Sequence, residues 1–261
     1  MRILQGTAAS GGVAIGPAFV VTAEMPHLVR QPVRKPAQEL ERLKGAFAAA
    51  QEEIEKIYEN ACKGIGEEES LIFRVHIMML QDENFRQEMI DSIVQDHTSA
   101  EYAVWRAGHR MYDMFSKMEN EYMRARGEDM MDISRRLLRC LDQRGDPPPE
   151  YLHTPVILCM AQALPSEIAR TYHSKILGFI AQHGSTTAHS AILVRSLHKP
   201  AVLGLGEDFW ELRGCRQVIV DGYSGQVVLD PDTKTRDRYA RLLQEENLRA
   251  EGSRQKHEQE T

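Results

Sequence analysis

The stretch of this chain best suited to chemistry is Gly184-Ser-Thr-Thr-Ala-His189-Ser190, a histidine preceded by small and hydroxyl-bearing residues. Apolar runs flank it. Ile176, Leu177, Phe179 and Ile180 read as a buried strand, and Ala191, Ile192, Leu193 and Val194 as the first turns of a helix that Lys199-Pro200 stops. His189 therefore falls where loop becomes helix, with hydroxyl N-caps available at Ser185, Thr186 and Thr187. The first N–H groups of a helix lack intrahelical partners and carry partial positive charge, so a phosphate there is stabilised. Gly184, Ser185, Ala188 and Ser190 are small enough to leave the imidazole open to a bulky partner. Taken alone, these residues equally suit a histidine that only caps or packs at a helix start.

A metal site would have to use His183, His189 and His198, a spacing that matches no known ligand pattern and has no cysteine nearby in sequence. No metal is expected. Cys62, Cys140, Cys159 and Cys215 are scattered without a CxxC pair, which fits reduced thiols in the cytoplasm better than a disulfide framework. The 261 residues, 42% of them apolar, suffice for one large domain or two smaller ones. A net charge of -6 argues against nucleic acid as the main partner. There is no apolar run of the ~20 residues a membrane span requires, and the N-terminal segment lacks the apolar core of a secretory signal.

The elements that must position His189 come in two kinds. Residues 2–21, with Gly11, Gly12 and Gly16 among valines and alanines, predict short strands joined by a tight turn that need partners elsewhere. From Pro36, Leu40, Leu43, Phe47, Ala50, Ile54, Ile57 and Ala61 recur at helical spacing. Four more helices are expected: Glu67 to Gln81, with Ser70, Arg74 and Gln81 as a polar stripe; one through Phe85, Met89 and Ile93, capped by Asn84; one opened by the capping box Thr98-Ser-Ala-Glu101 and broken at Gly127; and one through Met130, Ile133, Leu137 and Leu141. Short connections imply antiparallel hairpins in a bundle. Pro147-Pro-Pro149 ends the helical block, and strand signals resume at 155–160, 176–181, 201–203, 217–221 and 226–229. The bundle, 36–143, thus interrupts a β-containing domain made of 1–35 and 144–232, and the charged tail 233–261 reads as an exposed helix or linker.

With loop, insertion and tail together, the chain resembles the N-terminal phosphocarrier half of enzyme I of the bacterial phosphoenolpyruvate:sugar phosphotransferase system over nearly its whole length. Three stretches carry the resemblance: Gly184 to Arg195 with Lys199-Pro-Ala-Val-Leu-Gly204 after it, Leu164-Pro-Ser-Glu167, and Phe73-Arg-Val-His76-Ile-Met-Met-Leu-Gln-Asp82. The resemblance implies an α+β or α/β fold, a swivelling phosphohistidine β/α domain interrupted by an all-helical bundle. It also implies that His189 carries a phosphoryl group, with Gly184, Ser185, Thr186, Thr187, Ser190 and Arg195 supporting it, and that the bundle docks the small protein HPr. Arg195, six residues beyond His189, suits a structural ion pair equally well. For docking, Glu67, Glu68, His76, Met78, Met79 and Arg126 are the candidate residues. The alternative roles for these are bundle core for the methionines, packing for His76, an ion pair for Arg126, and ordinary helix N-terminal acids for the glutamates.

The sequence departs from the family pattern near the site. Ser185 stands where a second glycine is usual, Thr186 where arginine is common, and Leu164 where a threonine normally precedes Pro-Ser-Glu. The resemblance places phosphoenolpyruvate and magnesium on a separate C-terminal barrel, and such a barrel takes roughly 250 residues. The expectation is a chain that exchanges phosphate with HPr, has no cofactor of its own, and works with the C-terminal domain of the same enzyme. Competing readings are a swivelling domain of a pyruvate phosphate dikinase or phosphoenolpyruvate synthase-like enzyme, whose histidine loop is similar, and a non-catalytic helical interaction module.

Overall fold

In a computed structural model, residues 1–21, 28–64, 66–142, 155–171, 175–184 and 189–259 are described. The chain divides into two compact units, one formed by 1–23, 150–163 and 173–261, the other by 24–149 and 164–172.

The first unit is built on two sheets. Strands β1 (Arg2–Gln5), β2 (Thr7–Ser10), β3 (Val13–Gly16) and β4 (Ala18–Val21) do not pair with one another but alternate between them. The four-stranded sheet runs β1-β9-β8-β3, all antiparallel, with β8 (Val218–Asp221) and β9 (Gln226–Leu229) as its central hairpin. The five-stranded sheet runs β2-β7-β6-β5-β4; β5 (Val156–Gln162), β6 (Ile176–His183) and β7 (Ala201–Leu203) lie parallel with β4, and β2 closes the edge antiparallel to β7. The core between the sheets joins Ile157, Cys159, Ile180 and Val202 to Leu4, Val218, Val220 and Val227, with Phe209 and Leu212 added from the 3-10 segment Gly206–Leu212. The two-residue period of a strand sends Ile219 and Val228 to the opposite face, where Val13 and Tyr239 complete a second cluster. Tyr239 belongs to α8 (Thr233–Gln259), so the tail expected to stand free is anchored near its start to the four-stranded sheet.

Five long helices make up most of the second unit. α1 (Pro36–Gly64) buries Leu43, Ala46, Phe47, Ala50, Ile54 and Ala61, as its periodicity predicts. In α2 (Glu67–Leu80) two members of the expected polar stripe, Arg74 and Gln81, are exposed, but Ser70 is buried, its hydroxyl returned to the Gly66 carbonyl, and Leu71 and Met78 face outward as well. α3 (Glu83–Val94) is capped by Asp82, not Asn84, since the Asp82 carboxylate accepts the Phe85 amide at 2.9 Å. α4 (Ala100–Ser116) starts one residue later than a Thr98 box would put it. Ser99 accepts the Tyr102 amide, and Thr98 is buried against Ser92.

Gly127 does not end this helix. α4 ends at Ser116, and α5 (Glu121–Leu141) opens on Asn120, whose side chain accepts the Tyr122 and Met123 amides. Gly127 lies inside α5, where a Cβ would come within 3.2 Å of the Tyr112 ring; the missing side chain serves helix contact, not helix termination. A sixth, short helix, α6 (Pro165–Arg170), belongs to this unit as well, although its sequence lies within the stretch expected to form the sheet domain. The reason is a polar clasp between Ser166 and Asp132 of α5.

Candidate functional site

The site grows from the end of β6. This strand is central in the parallel part of its sheet, with β5 and β7 on either side, and Gln162 of β5 is in register with His183 at its last position. Gly184 then turns the chain with φ of +134°, a conformation that side chains rarely adopt, and a Cβ there would meet the Leu203 side chain of β7 at 3.4 Å. Further along, α7 is described over His189–Ser196, with His189 in its first turn. Ser185, Thr186 and Thr187 lie outside the described residues, as does the His189 side chain.

Helix α7 is fixed by burial. Ser190, Ala191, Leu193 and Val194 face the interior, and Ile192 is exposed. Ser190 therefore lies among packed side chains. The Arg195 Nε donates to the Ala191 carbonyl at 3.1 Å, a bond along its own helix. His198 ends α7 with a positive φ of 52°; its amide donates to the Arg195 carbonyl, and its Nδ1 lies 2.9 Å from the same oxygen. Among the described residues, no three His, Cys, Asp or Glu side chains converge as a metal site would require.

Helix α6 carries the Leu164-Pro-Ser-Glu167 stretch. Leu164 occupies the N-cap and offers no side-chain oxygen, so the cap comes from elsewhere in the fold. The buried carboxylate of Asp132 on α5 accepts the Ser166 amide at 3.0 Å and also the Ser166 hydroxyl. Around it, Arg136 and Arg139 both reach Glu53 of α1, at 2.8 and 2.9 Å, and Arg139 lies 3.5 Å from Glu167. Burial pushes the Arg136 guanidinium below its ordinary range, while Asp132 and Glu53 pull it back up.

The residues expected to dock a partner fall into two groups. Glu67 and Glu68 are exposed in the first turn of α2, Met78 is 69% exposed, and Met79 is half-buried. Leu71, about two turns before Met78, is 49% exposed and extends the same face. By contrast His76 is 1% exposed, edge-on to Phe73, with Nε2 3.5 Å from Asp129 of α5. Arg126 is buried too, holding Asp129 at 3.0 Å and contacting the Tyr122 hydroxyl and ring. These two therefore belong to the interior polar network of the bundle, as their alternative roles had it, and not to its outer face. Asp129, Asp132 and Arg136, absent from the residues expected to act, sit at i, i+3 and i+7 beside the apolar stripe Met130, Ile133 and Leu137. Charges so close to a core stripe are the signal that a buried network was present.

Two family models match the chain: the N-terminal domain of phosphoenolpyruvate-utilising enzymes over residues 5–126, and the mobile domain of such enzymes over 152–225, which includes His189. These matches place the sheet unit and the helical bundle in the class of domains found in phosphoenolpyruvate-utilising enzymes. Among curated relatives, the phosphoenolpyruvate-protein phosphotransferase of Bacillus subtilis is 32% identical over 92% of this chain, and that of Geobacillus stearothermophilus 33% over 98%. The chain spans 42% and 43% of their respective lengths. A solution structure of enzyme I (nEIt) is 31% identical, with a TM-score of 0.73 and coverage of 94% of this chain and 99% of that one. The N-terminal domain of a nitrogen enzyme I is 27% identical with a TM-score of 0.62, over 93% and 100%. This chain belongs to the enzyme I family, the phosphoenolpyruvate-protein phosphotransferases, and corresponds to their N-terminal part.

Proposed function

We propose that the chain is a phosphoryl carrier in which His189 takes a phosphoryl group, supplied by phosphoenolpyruvate in the full-length enzyme, and passes it to a histidine of HPr on the route to sugar uptake. The observation that carries this reading is His189 in the first described turn of α7, six residues beyond the end of a central parallel strand, in a chain that matches 99% of a solved enzyme I structure. In the transfer, a neutral imidazole nitrogen of His189 forms the new P–N bond as the bond to the donor breaks, and the reverse occurs on delivery. Phosphoryl transfer is mostly positioning plus charge stabilisation, and the unpaired N–H groups at the start of α7 supply donors for the phosphoryl oxygens. Thr186 stands where arginine is common in the family and Ser185 where a second glycine is usual, so the sequence around His189 offers hydroxyls and one positive charge fewer.

HPr docks on the outer face of α2. Glu67 and Glu68 with exposed Leu71 and Met78 make an apolar patch with an acidic end, which complements an apolar patch rimmed by basic residues. Phosphoenolpyruvate and magnesium are held by the C-terminal domain of the same enzyme, and the reaction takes place in the cytoplasm. No helix among the described residues is long and apolar enough to cross a membrane. Incubation with phospho-HPr followed by mass spectrometry under alkaline conditions tests the reading: the phosphoryl group is expected on the peptide that contains His189, and a label elsewhere, or none, refutes it.

A further inference from the structure

We infer that His183 is a further catalytic residue for phosphoryl transfer at His189, its ring donating to the phosphoryl oxygens; the inference rests on the carrier role proposed above. Both histidines belong to the sheet unit. In the five-stranded sheet Ile157, Cys159, Ile180 and Val202 point into the core between the sheets. The two-residue period therefore sends Phe179, Ala181 and His183 to the other face, and the pairing of β5 with β6 keeps an unbroken register over those residues. Helix α7 covers that face: its Ala191, Leu193 and Val194 are buried, yet none of them belongs to the core between the sheets.

The direction of α7 follows from the strand it leads into. Ala201 of β7 is in register with Phe179, whose amide donates to the Pro200 carbonyl at 2.9 Å, so the C-terminal end of α7 delivers the chain to the middle of β6. From Ser196 back to His189 the helix rises about 11 Å, and from Phe179 to His183 the strand advances about 13 Å. His183 and the first described turn of α7 therefore share one end of one face, at the carboxyl ends of the parallel strands, where open α/β sheets take their ligands. Phe179 and Ala181 are buried on this face, but His183 is exposed, and among the described residues its ring has no hydrogen bond or ion pair. Gly184 and Gly204 come together beside it, a Cβ on Gly204 lying 3.5 Å from the Gly184 carbonyl, so no bulky side chain from either fills the space.

Charge points to the same residue. Between Ile176 and Ser196 the ionisable side chains are His183, His189 and Arg195. Arg195 lies about 9 Å along the helix from His189, toward the opposite end, and its Nε donates to the Ala191 carbonyl. A phosphoryl group brings roughly two negative charges, against which the helix N–H groups set only partial positive charge. The imidazole at the end of β6, protonated beside the phosphoryl group, supplies a whole one. It forms no bond to phosphorus: as the P–N bond to HPr breaks and the P–N bond to His189 forms, the His183 N–H donates to a phosphoryl oxygen.

The test is single-turnover transfer from phospho-HPr to the full chain, comparing wild type with His183→Ala, His183→Gln and His183→Arg. Each variant is also titrated with unphosphorylated HPr and unfolded in urea. His183→Ala should lower the maximal transfer rate about tenfold to a hundredfold, with HPr affinity and urea midpoint unchanged, because the side chain is exposed. His183→Gln keeps an N–H donor without the charge and should recover only part of the rate. His183→Arg keeps donor and charge and should come within about threefold of wild type. Transfer at the wild-type rate in His183→Ala would overturn the inference, as would a His183→Arg variant no faster than His183→Ala. Failure of wild type to take up phosphate at His189 refutes the carrier role instead, so the two failures are distinct.

Discussion

The phenolic hydroxyl of Tyr239 donates to Oδ2 of Asp221 at 3.1 Å, joining the first turns of α8 to the β8–β9 hairpin. The other carboxylate oxygen accepts the Tyr223 and Ser224 amides at 3.0 and 3.1 Å, so one side chain shapes the turn and anchors the helix. Burial raises the Asp221 pKa, but the hydrogen bonds from Ser224, Tyr223 and Tyr239 outweigh it and hold the carboxyl below its usual range. A depressed carboxyl contributes stability that is present above its unfolded pKa of about 4 and is lost as pH falls through the folded value. Asp221→Asn should therefore lower the urea midpoint clearly at pH 7 and progressively less below about pH 4; an equal loss at both would contradict this. Tyr239→Ala, which empties a buried site, should cost about 3–5 kcal/mol, and Tyr239→Phe about 1.

Gly108 predicts how closely α4 and α5 approach. A Cβ at this position would lie 2.7 Å from the Ser134 Cβ and clash with its hydroxyl, which is itself bonded to the Met130 carbonyl. Alanine is worth about 1 kcal/mol more than glycine inside a helix, but an overpacked core costs about 1–3. Because the obstacle is a Cβ and not the tip of a flexible chain, Gly108→Ala should be net destabilising in urea melts. A stabilised variant would show the helices to be further apart.

Much of this architecture is legible in sequence because periodicity is local. The apolar spacing from Leu43 to Ala61 reflects which face of a helix is buried, as expected, and the apolar run Val218–Val220 falls in a buried strand where a strand is expected. Helix ends were less legible, since Asp82 against Asn84 and Asn120 against Gly127 depend on which backbone amide a side chain meets. The membership of α6 was not legible at all: its partner Asp132 is 34 residues away. His189 stood out because glycine, hydroxyls and a helix start coincide. For His76 only the packing of α2 on α5 brings Asp129 to the ring, whereas the Arg126–Asp129 pair is an i, i+3 contact within α5 that the sequence offers directly.

On α2 the outward and inward residues should separate docking from stability. Met78→Ala should weaken HPr binding about tenfold while altering stability by less than about 0.5 kcal/mol. His76→Ala, a buried position, should lower stability by about 2 kcal/mol or more. Titration of labelled HPr and urea denaturation of each variant check the pair. The assignment of the docking face is contradicted if Met78→Ala binds as wild type does.

Cys140 offers a chemical probe of the α1–α5 contact. Burial, with the charge of Glu53, pushes its thiol up to about 11. The native thiol should then react with iodoacetamide slowly at pH 8, where roughly one part in a thousand is thiolate, and about tenfold faster per pH unit above it. Rapid alkylation of native Cys140 at pH 8 would mean that the Glu53 contact is not kept in solution.

The central claim is that His189 bears the phosphoryl group. Wild type and His189→Ala should be exposed to phospho-HPr in parallel, with docking to unphosphorylated HPr followed by titration in both. The account predicts one acid-labile, alkali-stable phosphoryl group on wild type, none on His189→Ala, and equal docking; undiminished phosphorylation of His189→Ala would contradict it.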